Sequence, residues 1–449
     1  MALPTAPGPA EGAVAATVIE TPAAMPGGWA RRTFGALTYD SNFRLLFLGN
    51  VLQFGAQQML LVTRGWLVFH ITGSFAALGT IALANAVPGL ILSPVGGIIA
   101  DRAPKKTVIQ SAQLFNMVNA AVIAVIAAGV FGLELAFWHL FVSSFMQGGV
   151  NSIMMPSRQA MISDLVPRER LMNAIGINSS GQTFMQLVGP GLAGLLLAAV
   201  SPAAAYTVMA GMYFFAVTFT MRLPTKPLYA FAQSAAGRSA GAARGGRGRG
   251  AGGFKDLKDG IRYVATDPTI RMLIGVNFLI VVVAMPYTML LAGFVKDVLH
   301  KGAFEQGILQ SIQGVGAVGG SIFVASAAAK GRGKMMMFWG ALLGCGIVAF
   351  AISTSFWITL PIMVFIGTAQ AGRMAIGQVL VQTYSDEEYR GRVQAVWFMQ
   401  FSLVQFGTFL VSILAELVGP QWAIGGLATM LVIAMGLTAT FVPSMRRLD

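Results

Sequence analysis

The 449-residue chain is 55% hydrophobic and only 10% charged, with a mean hydropathy of +0.70; soluble globular domains carry roughly 25% charged residues, so a water-soluble reading is excluded. A hydrocarbon core about 30 Å thick takes roughly 20 apolar residues per helix, so the length accommodates about a dozen spans with short connectors and no large soluble domain besides. The net charge of +13 would point to a polyanion in a soluble protein, but here its distribution matters more than its sum, and the single cysteine, Cys345, removes disulfide frameworks and cysteine metal clusters.

Residues 1–38 are rich in Ala, Pro and Gly and lack the basic start and apolar core of a signal peptide. They are expected to form a disordered tail. Twelve spans then follow from the hydropathy pattern: Arg44 to Phe69, Phe75 to Ala100, Lys106 to Phe131, Ala136 to Pro156, Pro167 to Val200 and Ala203 to Leu223 make a first set. Ile270 to Val295, Phe304 to Ala328, Met335 to Thr354, Phe356 to Tyr384, Arg390 to Val418 and Gln421 to Met445 make a second. Asp267 before Pro268 has N-cap chemistry, and Ser385 with Glu388 has capping-box spacing at the eleventh span. Between the sets lies GRSAGAARGGRGRGAGG, too rich in glycine and charge to pack.

The expected fold class is therefore an all-α membrane protein with twelve transmembrane helices in two pseudo-symmetric six-helix bundles, at 39–223 and 267–449, joined by a linker at 224–266. In the linker, Phe254, Leu257, Ile261 and Val264 recur at helical spacing, which predicts a short amphipathic helix on the inner membrane surface. With alternating helices, the basic connectors all fall on one side and only Lys296 and Lys301 on the other, so the positive-inside rule puts both termini in the cytoplasm and the chain in the cell membrane. RGGRGRG lacks interleaved aromatics, so anionic lipid is its simpler partner and no nucleic acid is expected.

The halves echo each other. Asp40, Arg44, Leu46 and Asn50 return as Asp267, Arg271, Leu273 and Asn277 at one offset, and Val95-Gly96-Gly97 is matched by Val318-Gly319-Gly320. Such duplication favours a path between two halves.

After the second span stands GGIIADRAPKK, with Gly97, Asp101, Arg102, Lys105 and Lys106 in the spacing G-x-x-x-D-R-x-x-K-K. This resembles the motif between helices two and three of major facilitator superfamily transporters. The resemblance implies a latch on the cytoplasmic face, in which Gly97 permits close helix approach and Asp101 binds an opposing helix N-terminus or base. Arg158 and Arg392 are candidate partners for Asp101, or ordinary topogenic arginines. The second half has no acid matching Asp101, which makes the latch asymmetric. VGPGLAG in the fifth span, with Gly189, Pro190 and Gly194, resembles the G-P-x-x-G-G signature of family exporters, with Ala193 replacing one glycine and Met185 standing where another is expected upstream. Its small residues and proline would give a bend that packs differently in two states. WLVFHITGS, MMPSRQAMISDLVPRERLMNA, DEEYRGRVQA and the terminal arginine pair resemble the subgroup of the enterobactin exporter and related efflux proteins.

Charges within spans are functional hypotheses because each is costly unless paired or wetted. Arg373 falls near the middle of the tenth span and is the principal substrate candidate. Arg64 lies in the outer half of the first span, roughly 9 Å from the boundary by helical rise, within reach of outward snorkelling. No Asp or Glu occupies the centre of a span, so proton coupling would fall to Glu416 or Glu134, with Arg64 as partner. Gln57, Gln58, Gln147, Asn151, Asn178, Gln182, Gln186, Gln310, Gln313, Gln370 and Gln378 either line a wet cavity or bond between helices. No nucleotide-binding, metal-binding or serine-nucleophile motif is present, so no cofactor, metal or enzymatic activity is expected. The resemblance implies secondary export of an amphipathic small molecule, anionic if the interior arginines bind it. A non-transporting receptor or assembly protein on the same scaffold, and a lysolipid or metabolite permease of opposite direction, are the alternatives.

Overall fold

The computed structural model describes residue 37 and residues 40–225, 228–229, 252–326 and 331–441, without the side chains of 93–98, 100–102, 131, 168–169, 253–257 and 325–326. Most of the N-terminal tail, most of the glycine-rich linker and the terminal arginine pair lie outside the described residues. So do the side chains of Asp101 and Arg102, and the surroundings of Gly97.

Helices α1 (Ser41–Thr72), α2 (Phe75–Arg102), α3 (Lys105–Ala127), α4 (Phe137–Leu165), α5 (Arg168–Ala199) and α6 (Pro202–Met221) form the first set. Helix α7 (Gly252–Thr266) precedes the second: α8 (Pro268–Ala284), α9 (Tyr287–Asp297), α10 (Ala303–Ser326), α11 (Arg332–Ile352), α12 (Phe356–Tyr384), α13 (Arg390–Phe398), α14 (Gln400–Val418) and α15 (Pro420–Phe441). Among the described residues, eleven spans are long and apolar enough to cross a membrane, counting α8–α9 and α13–α14 as one each. Helix α4 has the length, 29 residues, but Ser143, Ser144, Gln147, Asn151, Ser157 and Arg158 dilute its apolar character. It also runs past Pro156, its expected end, to Leu165, because a membrane helix tolerates an internal proline whose freed carbonyl finds other partners.

Two expected spans are broken. Pro286 has no N–H for the carbonyl of Val282, and the helix stops at Ala284. That carbonyl faces Gly407 of α14, where a methyl group would sit 2.7 Å from it. The eleventh span steps at Met399, where Ser402 N–H bonds the Met399 carbonyl in an i→i+3 turn. The expected capping box there is not formed: Ser385 hydroxyl donates back to the Val381 carbonyl and closes α12 instead. Elsewhere the caps follow the local chemistry. Asp267 accepts from Ile270 N–H at 2.8 Å, Ser74 and Ser201 cap α2 and α6, and Gly73 ends α1 at φ 62°.

Lys105 pairs with Asp164 at 2.6 Å and Arg170 with Asp40 at 3.2 Å, gathering the basic ends of α1, α3, α4 and α5 on one side, here called inner. The packing repeats between the sets: α2 lies along α4 as α10 lies along α12, and α3 along α6 as α11 along α15. Glycines make the first pair of crossings possible. A methyl group on Gly148 would sit 2.0 Å from the Asn85 carbonyl, and one on Gly316 equally close to that of Val364. Asn50 and Asn277, matched in the sequence repeat, are both buried and both donate to an amide, Asn178 Oδ1 at 2.9 Å and Gln400 Oε1 at 3.2 Å.

Candidate functional site

The two sets of helices meet along α5 against α10 and α2 against α14. Both seams tighten on the outer side. Gly194 and Gly307 place their chains so close that a methyl group on either would sit 3.0 Å from the other's Cα. A methyl group on Gly79 would lie 2.6 Å from Ser412 Cβ. The rings of Phe69 and Phe75, 4.8 Å apart, fill the space beside Gly293 of α9, and Lys296 Nζ stands 5.6 Å from the Phe69 ring. Glu416 Oε2 accepts from Ser74 Oγ at 3.1 Å and from the N–H groups of Phe75 at 2.6 Å and Ala76 at 3.2 Å, capping α2 from across the seam. On the inner halves of α4 and α5, polar Gln159, Ser179 and Ser180 are exposed instead.

Among the described residues, three guanidiniums are buried within the long helices. Arg373 of α12 is 2% exposed and donates through Nη1 to Asn277 Oδ1 at 2.5 Å, linking α12, α8 and, through Gln400, α14. It is covered inside the second half in this conformation. Arg64 does not snorkel outward. It turns into the first half, donating to Ser144 Oγ at 3.0 Å and Gln147 Oε1 at 2.6 Å, because paired burial outcompetes a reach of more than two helical turns to the outer end. Arg158 of α4 is 4% exposed, stands over Phe54 with Cζ 4.2 Å from the ring centroid, and has no hydrogen-bond partner at Nη1 or Nη2. Nothing in the spacing of Phe54 and Arg158 announces their contact; chain crossing alone brings them together.

The bases of the inner motif tie the first half to itself. Lys105 holds Asp164, while Lys106 Nζ donates to the carbonyls of Met221 and Leu223, capping the C-terminal end of α6. Arg392 stands 5.3 Å from the Tyr389 ring. Beside it, α7 docks onto protein on one face rather than resting wholly on the membrane. Tyr263 stacks on Tyr389 at 4.4 Å and donates to Asp386 Oδ2 at 3.0 Å, and Gly260 abuts the Arg392 backbone. Gly260, Tyr263 and Val264 form the docked face, and Ile261 of the expected membrane-facing set is exposed.

Gly189, Pro190 and Gly194 lie in an unbroken α5 and serve as its contact face: Gly189 meets α1 at Gln58 Cβ, and the Pro190 carbonyl faces Gly307. Among the amides, Gln147 is committed to Arg64, while Gln313 donates to Gln370 Oε1 at 2.9 Å between α10 and α12. Asn151 is half-buried with Oδ1 lacking a partner; Gln57 and Gln182 are half-buried and Gln186 is exposed. Glu134 is exposed in the outer connector after α3, and the partners of Arg64 are neutral rather than Glu134 or Glu416.

A family described as transmembrane secretion effector, of the major facilitator type, matches residues 33–449. The staphyloferrin A transporter of Staphylococcus aureus is 22% identical over 398 residues, 88% of this chain and 93% of the relative. The multidrug efflux pump Tap of Mycolicibacterium fortuitum is 23% identical over 413 residues, 90% and 97% of the two chains. Among solved structures, the nucleoside transporter NupG superposes with a TM-score of 0.64 at 15% identity, covering 90% of this chain and 98% of that one, a likeness of fold.

Proposed function

The chain belongs to the transmembrane secretion effector family of major facilitator transporters, and from that premise we propose that it is an efflux permease moving an amphipathic, anion-bearing small molecule by alternating access. Arg64, Arg158 and Arg373 are 7%, 4% and 2% exposed, while among the described residues no Asp or Glu lies in the middle of a span. That imbalance carries the reading. Interior guanidiniums cost several kcal/mol unless compensated; neutral hydroxyls and amides hold Arg64 and Arg373 without balancing their charge, and a substrate anion supplies that balance. Names of relatives that include a siderophore transporter and a multidrug efflux pump support export of an amphipathic compound.

In this reading the protein sits in the cell membrane with both termini cytoplasmic, and the outer seal described above is one of two alternating closures. The Gly97, Asp101 and Arg102 motif forms the other, mounted on a first half that Lys105 and Lys106 hold rigid. The Gly189, Pro190 and Gly194 face of α5 slides against α10 as they exchange. Counterflow in liposomes containing the purified full chain tests this. A panel pairing each amphipathic anion with a lipophilic cation of similar size should show counterflow of anions. Equal movement of cations would overturn the substrate class, and no counterflow across the panel would overturn transport.

A further inference from the structure

Of the three interior guanidiniums, Arg158 alone has neither terminal nitrogen engaged. Its aromatic contact explains half of this. With Cζ 4.2 Å from the Phe54 ring centroid, the guanidinium is partly compensated by the ring quadrupole, but its Nη1 and Nη2 donors stay without a hydrogen-bond acceptor. Those donors suit an anionic oxygen. The space it adjoins is a cavity of about 10 Å³ among Asn50, Phe54, Gln159, Asn178 and Gln182. That is room for one water-sized group, the size of a single carboxylate or phosphate oxygen. The residues lining it include amides and no carboxylate. Arg158 lies seven residues from the inner end of α4, roughly 10 Å by helical rise, on the side where Gln159 is exposed.

We propose that Arg158 is the anchor for a carboxylate or phosphate group of an amphipathic ligand entering from the inner side, with Phe54 holding the guanidinium and the Asn178 and Gln182 amides bordering the bound oxygen. This deepens the export reading and rests on it for the route of entry. The anchor itself is testable without transport. Fluorescence anisotropy of dansylglycine, a carboxylate, and dansylglycinamide, its neutral twin, measures binding to the purified full chain in detergent. Wild type should prefer dansylglycine, and Arg158→Gln should weaken it about tenfold or more while leaving dansylglycinamide unchanged. Arg158→Lys should keep a weakened preference, and Gln182→Leu should lower carboxylate affinity alone; these two variants decide the matter if Arg158→Gln fails to fold.

Displacement of dansylglycine by decanoate or by lysophosphatidate supports the anchor and distinguishes an exported acid from a lipid headgroup; displacement by neither overturns it. No carboxylate preference in wild type, equal loss of both probes in Arg158→Gln, or no loss at all would also overturn it. Carboxylate binding that depends on Arg158 in a protein without counterflow would uphold the anchor and sink the transport reading. Anion counterflow undiminished in Arg158→Gln would do the reverse.

Discussion

Asn277 shows how much one neutral side chain carries in a low-dielectric interior. It accepts from Arg373 and donates to Gln400, so its removal strands a buried cation and an amide together. Asn277→Leu should destabilise the protein by about 1–3 kcal/mol, read as a lower melting temperature in the same detergent; an unchanged melting temperature would show that water replaces the amide. The sequence marks Asn277 as the echo of Asn50 and Arg373 as a charge near the middle of a span. It does not mark them as partners, because a contact between residues 96 apart depends on the rotation of two helices about their axes. Arg64 makes the same point in the first half: depth is readable from the sequence, but its turn inward to Ser144 and Gln147 is a matter of packing.

At the level of elements, the Tyr263 ring of α7 stacks on Tyr389 just before the eleventh span, and its hydroxyl donates to the Asp386 carboxylate and accepts from the Asp386 N–H. Burial raises the Tyr263 phenol above its ordinary value; the Asp386 N–H opposes this, and the Asp386 and Asp267 carboxylates add to it. The docked helix thus holds this proton more tightly than a free one would. Docking is complete below the ordinary tyrosine range and weakens as pH rises past about 10. A spin label at position 261, exposed in the docked helix, should report unchanged mobility from pH 6 to 9 and increased mobility above pH 10. Tyr263→Phe should keep the stack and lose that pH dependence, whereas Tyr263→Ala should free the helix at every pH. A flat profile in wild type would mean that the stack with Tyr389 holds the helix alone. The periodicity in residues 254–265 predicts this helix, but the contact of Tyr263 with Tyr389 and Asp386 is not legible in it, since a sequence pattern does not say which neighbour a helix meets.

For the molecule as a whole, opening outward requires separating α2 from α14 and α5 from α10 at their outer ends. Glu416 opposes this with three accepted hydrogen bonds. The carboxylate-on-helix-N-terminus latch that the motif at Asp101 implies for the inner face thus occurs on the outer face in this conformation. Glu416→Gln keeps the shape and removes the charge, and should raise the outward-open population a few-fold, since helix-terminus charges contribute roughly 0.3–1 kcal/mol at an exposed site. Distances between spin labels placed on the outer ends of α2 and α14 would measure it, and an unchanged distribution would assign closure to glycine packing instead. Gly307→Leu should act more strongly, because its side chain meets the Pro190 carbonyl and the Gly194 backbone, which cannot yield without parting the two halves.

Hydropathy by itself determined the spans, their two sets and the duplication, because lipid demands long apolar helices with every backbone group satisfied internally. The sequence also located Arg64 and Arg373 within spans and the small-residue stretch in α5, but placed Arg158 at the inner end of the fourth span rather than in the interior. Tertiary structure decided which way each polar side chain turns, that Pro286 splits one span while Pro156 and Pro190 do not split theirs, and that the closed seam is the outer one. Those outcomes depend on which neighbour stands within a few ångströms of each group, and that is fixed by helix rotation and crossing rather than by position along the chain.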